Sequence, residues 1–298
     1  LDFIPISFIT DEELDGPRLK EYSDGSSYYG QFKGQAKHGF GTYTSEDGDE
    51  YIGNWQYDER HGQGTENYAD GNVYIGQFKG NDRHGYGTYT WDPDGDLGGR
   101  NYVGDWEDGV IHGAGVYTLA SGETYDGEYS DGLRNGQGKC TYANGDIYEG
   151  EWKDGKYNGH GKETLKNGDI YEGKWKDNKR NGHGTFTWTD GEVFVGKWKD
   201  NKRNGHGKTI LANGNIYEGD WKDGSRNGHG TFTWPSGEVY VGEWKDGVRS
   251  GHGKNTYKDG QVYVGEWKNG RQNGHGKMTF TNGSIYEGKW LDGEKANP

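Results

Sequence analysis

A 23-residue unit recurs along almost the whole chain and limits what it can fold into. Each unit begins with an aromatic residue, any residue, glycine, any residue and a second aromatic residue. The first aromatic, called column 1, recurs every 23 residues, except for one interval of 28. Its twelve positions are Tyr28, Tyr51, Tyr74, Tyr102, Tyr125, Tyr148, Tyr171, Phe194, Tyr217, Tyr240, Tyr263 and Tyr286. The sequence therefore predicts a stack of small units rather than one large core.

Glycine is concentrated in four columns of this unit. Columns 3, 12, 14 and 21 hold 46 of the 58 glycines, and column 5 is always aromatic. Columns 1, 3 and 5, and then 12, 14, 16 and 18, repeat with the period of two that is typical of a strand. A polar turn such as KDNKRN and a return loop such as ANGD connect these strands. Each unit is predicted to be a β-hairpin whose column 12 and 14 glycines underlie the rings of columns 1 and 5.

Composition alone would suggest a disordered chain, because aliphatic residues are few and the net charge is −14. The 23 Tyr and 12 Trp residues argue against disorder. The single cysteine, Cys140, allows no internal disulfide and favours a reducing, intracellular location. The N-terminal LDFIPISFIT is short and lacks a basic start, so it is predicted to be neither a signal peptide nor a membrane span.

The segment YEGEWKDGKYNGHGK, residues 148–162, resembles the MORN repeat (membrane occupation and recognition nexus). The resemblance covers about residues 28–293. It implies an all-β fold: an elongated, twisted antiparallel sheet, or open solenoid, of consecutive 23-residue hairpins with a groove along one face. About twelve repeats are expected within 28–298, with a five-residue insertion within 92–100. Residues 1–27 lie outside the resemblance.

The same resemblance implies a non-enzymatic scaffold or adaptor. Partners are expected along the groove, in a cytoplasmic, cytoskeleton-associated assembly such as a cilium, flagellum or axoneme. The alternative is a membrane-surface adaptor that binds anionic phospholipids through a basic rim. The expected partners are proteins of a larger assembly, with an anionic lipid or a second copy of the chain (a homodimer) as further options. The acidity of the chain disfavours nucleic acid, and no catalytic residue, cofactor or metal is predicted.

Column 16 is the most variable column that points to the inner face. A variable inward column indicates an open groove whose side chains select a partner. An equally good interpretation is partial burial that tolerates many side-chain sizes. The residues predicted to line the groove are Tyr43, Tyr89, Tyr117, Phe186, Phe232 and Met278.

Charge is unevenly distributed along the chain. Residues 1–149 contain 28 acidic and 10 basic residues, whereas residues 150–298 contain 20 acidic and 24 basic ones. The basic residues of the second half gather at the hairpin turns. They are interpreted either as a solvated surface or as a rim for an acidic partner or anionic lipid. The predicted rim consists of Lys179, Arg180, Lys202, Arg203 and Arg226.

All ten histidines fall in columns 11 and 13. A residue that recurs in register is better explained by architecture than by an active site, with a pH-sensitive rim as an alternative. Equivalent residues of adjacent repeats lie about 10 Å apart, which is too far to share a zinc ion. The insertion carries Asp92, Asp94 and Asp96, which is interpreted as an acidic surface loop or as a weak calcium candidate.

Overall fold

The computed structural model describes residues 14–296, and every regular element among them is a β-strand. The chain forms two compact units, Leu1–Ala143 and Asn144–Pro298. The predicted all-β array of antiparallel 23-residue hairpins is confirmed. Residues 1–13 of the N-terminal segment lie outside the described residues.

The first unit contains eleven strands among its described residues, 14–143. They are β1 (Asp15–Glu21), β2 (Ser27–Lys33), β3 (Ala36–Thr44), β4 (Glu50–Gln56), β5 (Glu59–Asn67), β6 (Val73–Lys79), β7 (Asp82–Thr90), β8 (Asn101–Glu107), β9 (Val110–Thr118), β10 (Thr124–Ser130) and β11 (Leu133–Thr141). Consecutive strands of this unit pair antiparallel. Strand β1, which precedes the first repeat, pairs with β2 and so extends the sheet of this unit.

Residues 144–296, the described part of the second unit, contain fourteen strands, again paired antiparallel in chain order. They are β12 (Ile147–Lys153), β13 (Lys156–Thr164), β14 (Ile170–Lys176), β15 (Lys179–Thr187), β16 (Val193–Lys199), β17 (Lys202–Ile210), β18 (Ile216–Lys222), β19 (Ser225–Thr233), β20 (Val239–Lys245), β21 (Val248–Thr256), β22 (Val262–Lys268), β23 (Arg271–Thr279), β24 (Ile285–Leu291) and β25 (Glu294–Lys295).

The repeat that begins at Tyr171 shows how the core is built. The Tyr171 side chain lies over Gly173 and Gly184, the column 3 and column 14 glycines: a Cβ atom would overlap its ring at Gly184 and would lie 2.7 Å from its hydroxyl at Gly173. The Tyr171 hydroxyl donates a hydrogen bond to the Lys174 carbonyl oxygen at 3.0 Å. Its ring meets the column 5 ring of its own repeat, Trp175, edge-to-face at 5.0 Å, and that of the next repeat at 5.5 Å. Within each unit, adjacent repeats therefore share their core.

Column 12 has a different role from the predicted one. Gly182 has a φ of +99°, and β14 and β15 change register beside it, from Gly173 opposite Gly184 to Trp175 opposite Arg180. The glycine thus lies at a β-bulge rather than under a ring, and its φ is larger than that of any non-glycine residue with positive φ in the described chain. Two extra residues on one strand preserve the period of two, so a pattern of alternating columns does not reveal the bulge.

Tyr129 is the one tyrosine in column 5, and its side chain is suboptimal there. Most other repeats carry tryptophan, whose indole Nε1 donates to a glycine carbonyl of the preceding repeat, as Trp198 does to Gly184 at 3.2 Å. The Tyr129 hydroxyl is buried without a hydrogen-bond partner among residues 14–296. An unpaired buried hydroxyl costs about 1–3 kcal/mol.

We therefore expect Tyr129→Phe to stabilise the protein by about 1 kcal/mol, measured as the free energy of unfolding in urea. The matched control is Tyr125→Phe in the same strand. It removes a hydroxyl that donates to the Glu128 carbonyl oxygen at 3.0 Å and should destabilise by about 1 kcal/mol. Destabilisation by both substitutions would contradict the assignment of Tyr129 as an unpaired group.

Candidate interaction face

The sheet of each unit has two chemically different faces. Opposite residues of paired strands share a face, so Tyr171 lies on the same side as Phe186, and Glu172 on the same side as Thr185. We call the side that carries columns 1, 5, 10, 16 and 18 the aromatic face. We call the side that carries columns 2, 4, 6, 9, 13 and 15 the polar face.

The predicted groove residues of column 16 all lie on the aromatic face, but their exposure differs. Phe186, Phe232 and Met278 are 4%, 5% and 8% exposed. Tyr43, Tyr89 and Tyr117 are half-buried. This agrees better with partial burial of the column than with a fully open groove, and a partner-binding role for these six residues stays a prediction.

Arginines of column 10 cover the column 16 side chains. The Arg180 guanidinium lies 4.5 Å from the centre of the Phe186 ring and 5.2 Å from that of Tyr171. It also pairs with Glu163 of the preceding repeat at 2.9 Å. Arg203 instead lies 4.8 Å from the Trp188 ring, which belongs to column 18 of the preceding repeat, and it pairs with Glu192 at 3.1 Å. Stacking of Arg180 on the ring contributes to the burial of Phe186.

Arg226 differs from these two arginines because it lacks a carboxylate. Its guanidinium lies 4.6 Å from the Trp244 ring, and it donates to the Gly247 carbonyl oxygen at 2.9 Å. In the described part of the chain no acidic side chain forms an ion pair with it. Burial lowers the pKa of Arg226, and it lowers that of Arg203 while Glu192 opposes the shift. Arginine nevertheless keeps its charge in proteins, so Arg226 is a cation that is not neutralised on this face.

The predicted basic rim forms two separate rows. Arg180, Arg203 and Arg226 are half-buried on the aromatic face, whereas Lys179 and Lys202 are exposed on the polar face, because adjacent strand residues point to opposite sides. The two lysines belong to a row in columns 6 and 9 of the second unit. The exposed lysines of that row are Lys153, Lys156, Lys176, Lys179, Lys199, Lys202, Lys222, Lys245 and Lys268.

Column 18 contributes a second row to the aromatic face, which the sequence analysis did not identify as functional. Its members are large, apolar or aromatic and half-buried: Tyr68, Trp91, Leu119, Tyr142, Leu165, Trp188, Leu211, Trp234, Tyr257 and Phe280. Each lies where a strand enters the return loop. The signal in the sequence was a large apolar residue kept beside a polar loop, a position where burial alone would not require one.

The histidines and the insertion do not form a recognisable metal site. His160 and His206 are exposed on the polar face. Nδ1 of His160 lies 3.8 Å from a carboxylate oxygen of Glu151, and Nδ1 of His206 lies 3.4 Å from a carboxylate oxygen of Asp220. Within residues 14–296, no three His, Cys, Asp or Glu side chains are grouped so that they could hold a metal ion. In the insertion, the Asp92 carboxylate accepts a hydrogen bond from the Asp94 amide at 3.3 Å, as in an ordinary turn.

None of the described residues forms a helix of the length and apolarity that a membrane crossing requires.

A family model described as MORN repeat matches eleven segments of the chain. They are 28–50, 51–73, 74–95, 102–124, 125–147, 148–170, 171–193, 194–216, 217–239, 240–262 and 263–285. No curated protein matches the chain.

Solved structures also match the chain, at low sequence identity and low TM-score. The TCP10 domain of Danio rerio CPAP, in complex with a peptide of Danio rerio STIL, is 11% identical with a TM-score of 0.30, covering 92% of this chain and 100% of that chain. A catalytically inactive virginiamycin B lyase from Staphylococcus aureus is 12% identical with a TM-score of 0.15, covering 96% of this chain and 88% of that chain. Similarities at these TM-scores carry no argument about function.

Proposed function

Because the chain belongs to the MORN-repeat family, we propose that it is a scaffold that holds protein partners on the aromatic face of its repeats. MORN repeats are in general protein- or lipid-interaction modules, and the family is not an enzymatic one. We further propose that the assembly is cytoplasmic and cytoskeletal or ciliary, a setting that the family resemblance suggests and the residues themselves do not specify.

The observation that carries this proposal is the row of half-exposed column 18 side chains beside the column 10 arginines. Trp, Tyr and Arg are the residues that dominate the binding energy of protein interfaces. In the second unit, Trp188 and Trp234 are both half-buried, and both lie within reach of an arginine of the next repeat. A recurring row of large apolar side chains that stay partly in solvent is typical of an interaction surface.

The electrostatics of the second unit favour an acidic contact on the partner. Arg226 is held in place by rings and by one backbone carbonyl, so its charge is available to a carboxylate from outside the chain. A charge-assisted pair formed in such a partly dry position is stronger than one at the open surface.

Affinity capture with immobilised protein tests the proposal. We expect Trp188→Gln with Trp234→Gln to remove most of the proteins that the wild type captures, because single hot-spot side chains are worth about 2 kcal/mol or more. The matched control is Val195→Gln with Val241→Gln in the same unit, because these valines are exposed on the polar face. Quantitative mass spectrometry of the three captured sets gives the comparison.

The lysine row supports the alternative function, a membrane-surface adaptor. Each lysine near an anionic bilayer contributes about 1 kcal/mol, and the row lies on the polar face, away from the tryptophans. Flotation with anionic liposomes that is abolished by Lys179→Glu with Lys202→Glu, together with unchanged capture by the tryptophan variant, would overturn the scaffold proposal in favour of the adaptor.

A further inference from the structure

One repeat lacks the large side chain that column 18 otherwise carries. In ten of the eleven complete repeats this residue is Tyr, Trp, Leu or Phe, but in the first repeat it is Ser45. Ser45 is tied to its own return loop, where its hydroxyl accepts a hydrogen bond from the Asp49 amide at 2.9 Å. The first unit therefore has one place on the aromatic face where column 18 contributes no large side chain.

The other repeats show what such a place accommodates. The Trp188 ring lies between Phe186, the column 16 residue of its repeat, at 4.2 Å and Arg203, the column 10 residue of the next repeat, at 4.8 Å. Trp234 and Phe232 repeat this contact at 4.5 Å. Each of these two column 18 rings is therefore in contact with an aromatic ring of its own repeat and with an arginine guanidinium of the next repeat.

Both of these neighbours are retained around Ser45. A cavity of about 400 Å³ lies beside it and is lined by Tyr43, the column 16 residue, and by Arg60, the column 10 residue of the next repeat. Trp55 contributes a further wall. The Arg60 guanidinium pairs with Glu66 instead of stacking on a column 18 ring. The cavity is thus lined by the same kinds of residue that surround a column 18 ring in other repeats, but column 18 itself is a serine here.

The charges around this cavity are predominantly negative. Its lining includes four carboxylates, Asp49, Glu50, Asp58 and Glu66, against the two cations Lys37 and Arg60. The unit as a whole, Leu1–Ala143, contains 26 acidic and 10 basic residues. A ligand that enters here is favoured if it brings positive charge with its ring.

We propose that this cavity binds an aromatic side chain carried on a basic segment of a protein partner. The ring takes the position between Tyr43 and Arg60 that a column 18 residue takes in other repeats, and flanking cationic residues face the carboxylates. This inference rests on the proposed function, since it specifies one contact on the aromatic face.

The test uses isothermal titration calorimetry with the probe peptide acetyl-Lys-Trp-Lys-amide and the whole chain. We expect one binding site per chain for the wild type. In Ser45→Trp, whose indole fills the cavity from within, we expect the affinity for the probe to fall by about tenfold or more. Ser45→Ala leaves the cavity open and should bind as the wild type does. Ser45→Leu is the second filling variant, because leucine occupies column 18 in three other repeats. Acetyl-Glu-Trp-Glu-amide should bind more weakly than the probe.

The thermal stability of the variants provides a second measurement, which does not depend on binding of the probe. Both filling variants should unfold at a higher temperature than the wild type, because they supply the ring or side chain that the neighbouring groups are arranged to contact. The proposal is overturned if the wild type does not bind the probe, or if the filling variants are stabilised and still bind it with wild-type affinity. Either result leaves the capture experiment on Trp188 and Trp234 unaffected, because those residues belong to the other unit.

Discussion

Replacing Gly173 by alanine should destabilise the protein by about 3 kcal/mol, the upper end of what overpacking usually costs. A Cβ atom at this position would overlap the Gly184 backbone of the neighbouring strand and would lie 2.7 Å from both the His183 carbonyl oxygen and the Tyr171 hydroxyl. Backbone on one side and a buried ring on the other leave little room for relaxation. Urea unfolding of the two proteins gives the difference in the free energy of unfolding.

The matched control is Gly288→Ala, the same column in the last repeat. There the three atoms nearest to a Cβ atom all belong to the Tyr286 side chain, at 2.9 Å and beyond. We expect a cost below about 1 kcal/mol, because the ring can shift and the alanine recovers some unfolded-state entropy. Equal effects of the two substitutions would show that the close approach of paired glycines does not limit packing.

Alkaline pH should unfold the protein cooperatively. Burial raises the pKa of nine column 1 tyrosines, those at positions 28, 51, 74, 102, 125, 171, 217, 240 and 263, and it raises the pKa of Tyr28, Tyr74 and Tyr263 to about 12. In the unfolded chain a tyrosine titrates near pH 10. The neutral phenol therefore contributes stability that is complete below about pH 10 and is lost as the pH rises through the folded value of about 12.

We expect the urea midpoint to be unaffected by these tyrosines between about pH 7 and 9 and to fall steeply above about pH 10, since nine groups act in the same direction. Tyrosinate absorbance and circular dichroism should then change together in one transition. Complete tyrosine ionisation while the far-ultraviolet circular dichroism stays native would contradict the burial of the column 1 hydroxyls.

The sequence was sufficient to predict the strands, the hairpins and the contact of column 1 rings with glycine, because these follow from short-range periodicity. It did not predict the bulge at Gly182, since two extra residues on one strand leave the spacing of the columns unchanged. It also placed Arg180 on a rim beside Lys179. The two residues are adjacent in a strand and so point to opposite faces, and the arginine stacks on Phe186. Long side chains that fold back over rings are not encoded in the pattern of columns.

For the candidate site, too, the sequence predicts some features and not others. Column 16 was identified from its variability, yet three of its predicted residues are buried, because variability also arises where packing tolerates different sizes. The period of two assigns column 18 to a strand but does not predict its partial exposure, since exposure depends on where the return loop leaves the sheet. Recognising the cavity beside Ser45 required two observations: the exceptional serine in column 18 of the sequence, and the positions of its neighbours in the structure.

The sharing of rings between adjacent repeats has a consequence for how such a gene can change. Phe194 meets Trp198 of its own repeat at 5.2 Å and Trp221 of the next at 5.4 Å, just as Tyr171 meets Trp175 and Trp198. Loss or duplication of 23 codons in register would join two ends that already have the same contacts. The identical stretches 174–184 and 197–207 are suitable points for such unequal recombination. The length of the array can therefore drift by whole repeats without a new packing solution, whereas a single-residue insertion within a strand disrupts the register at once.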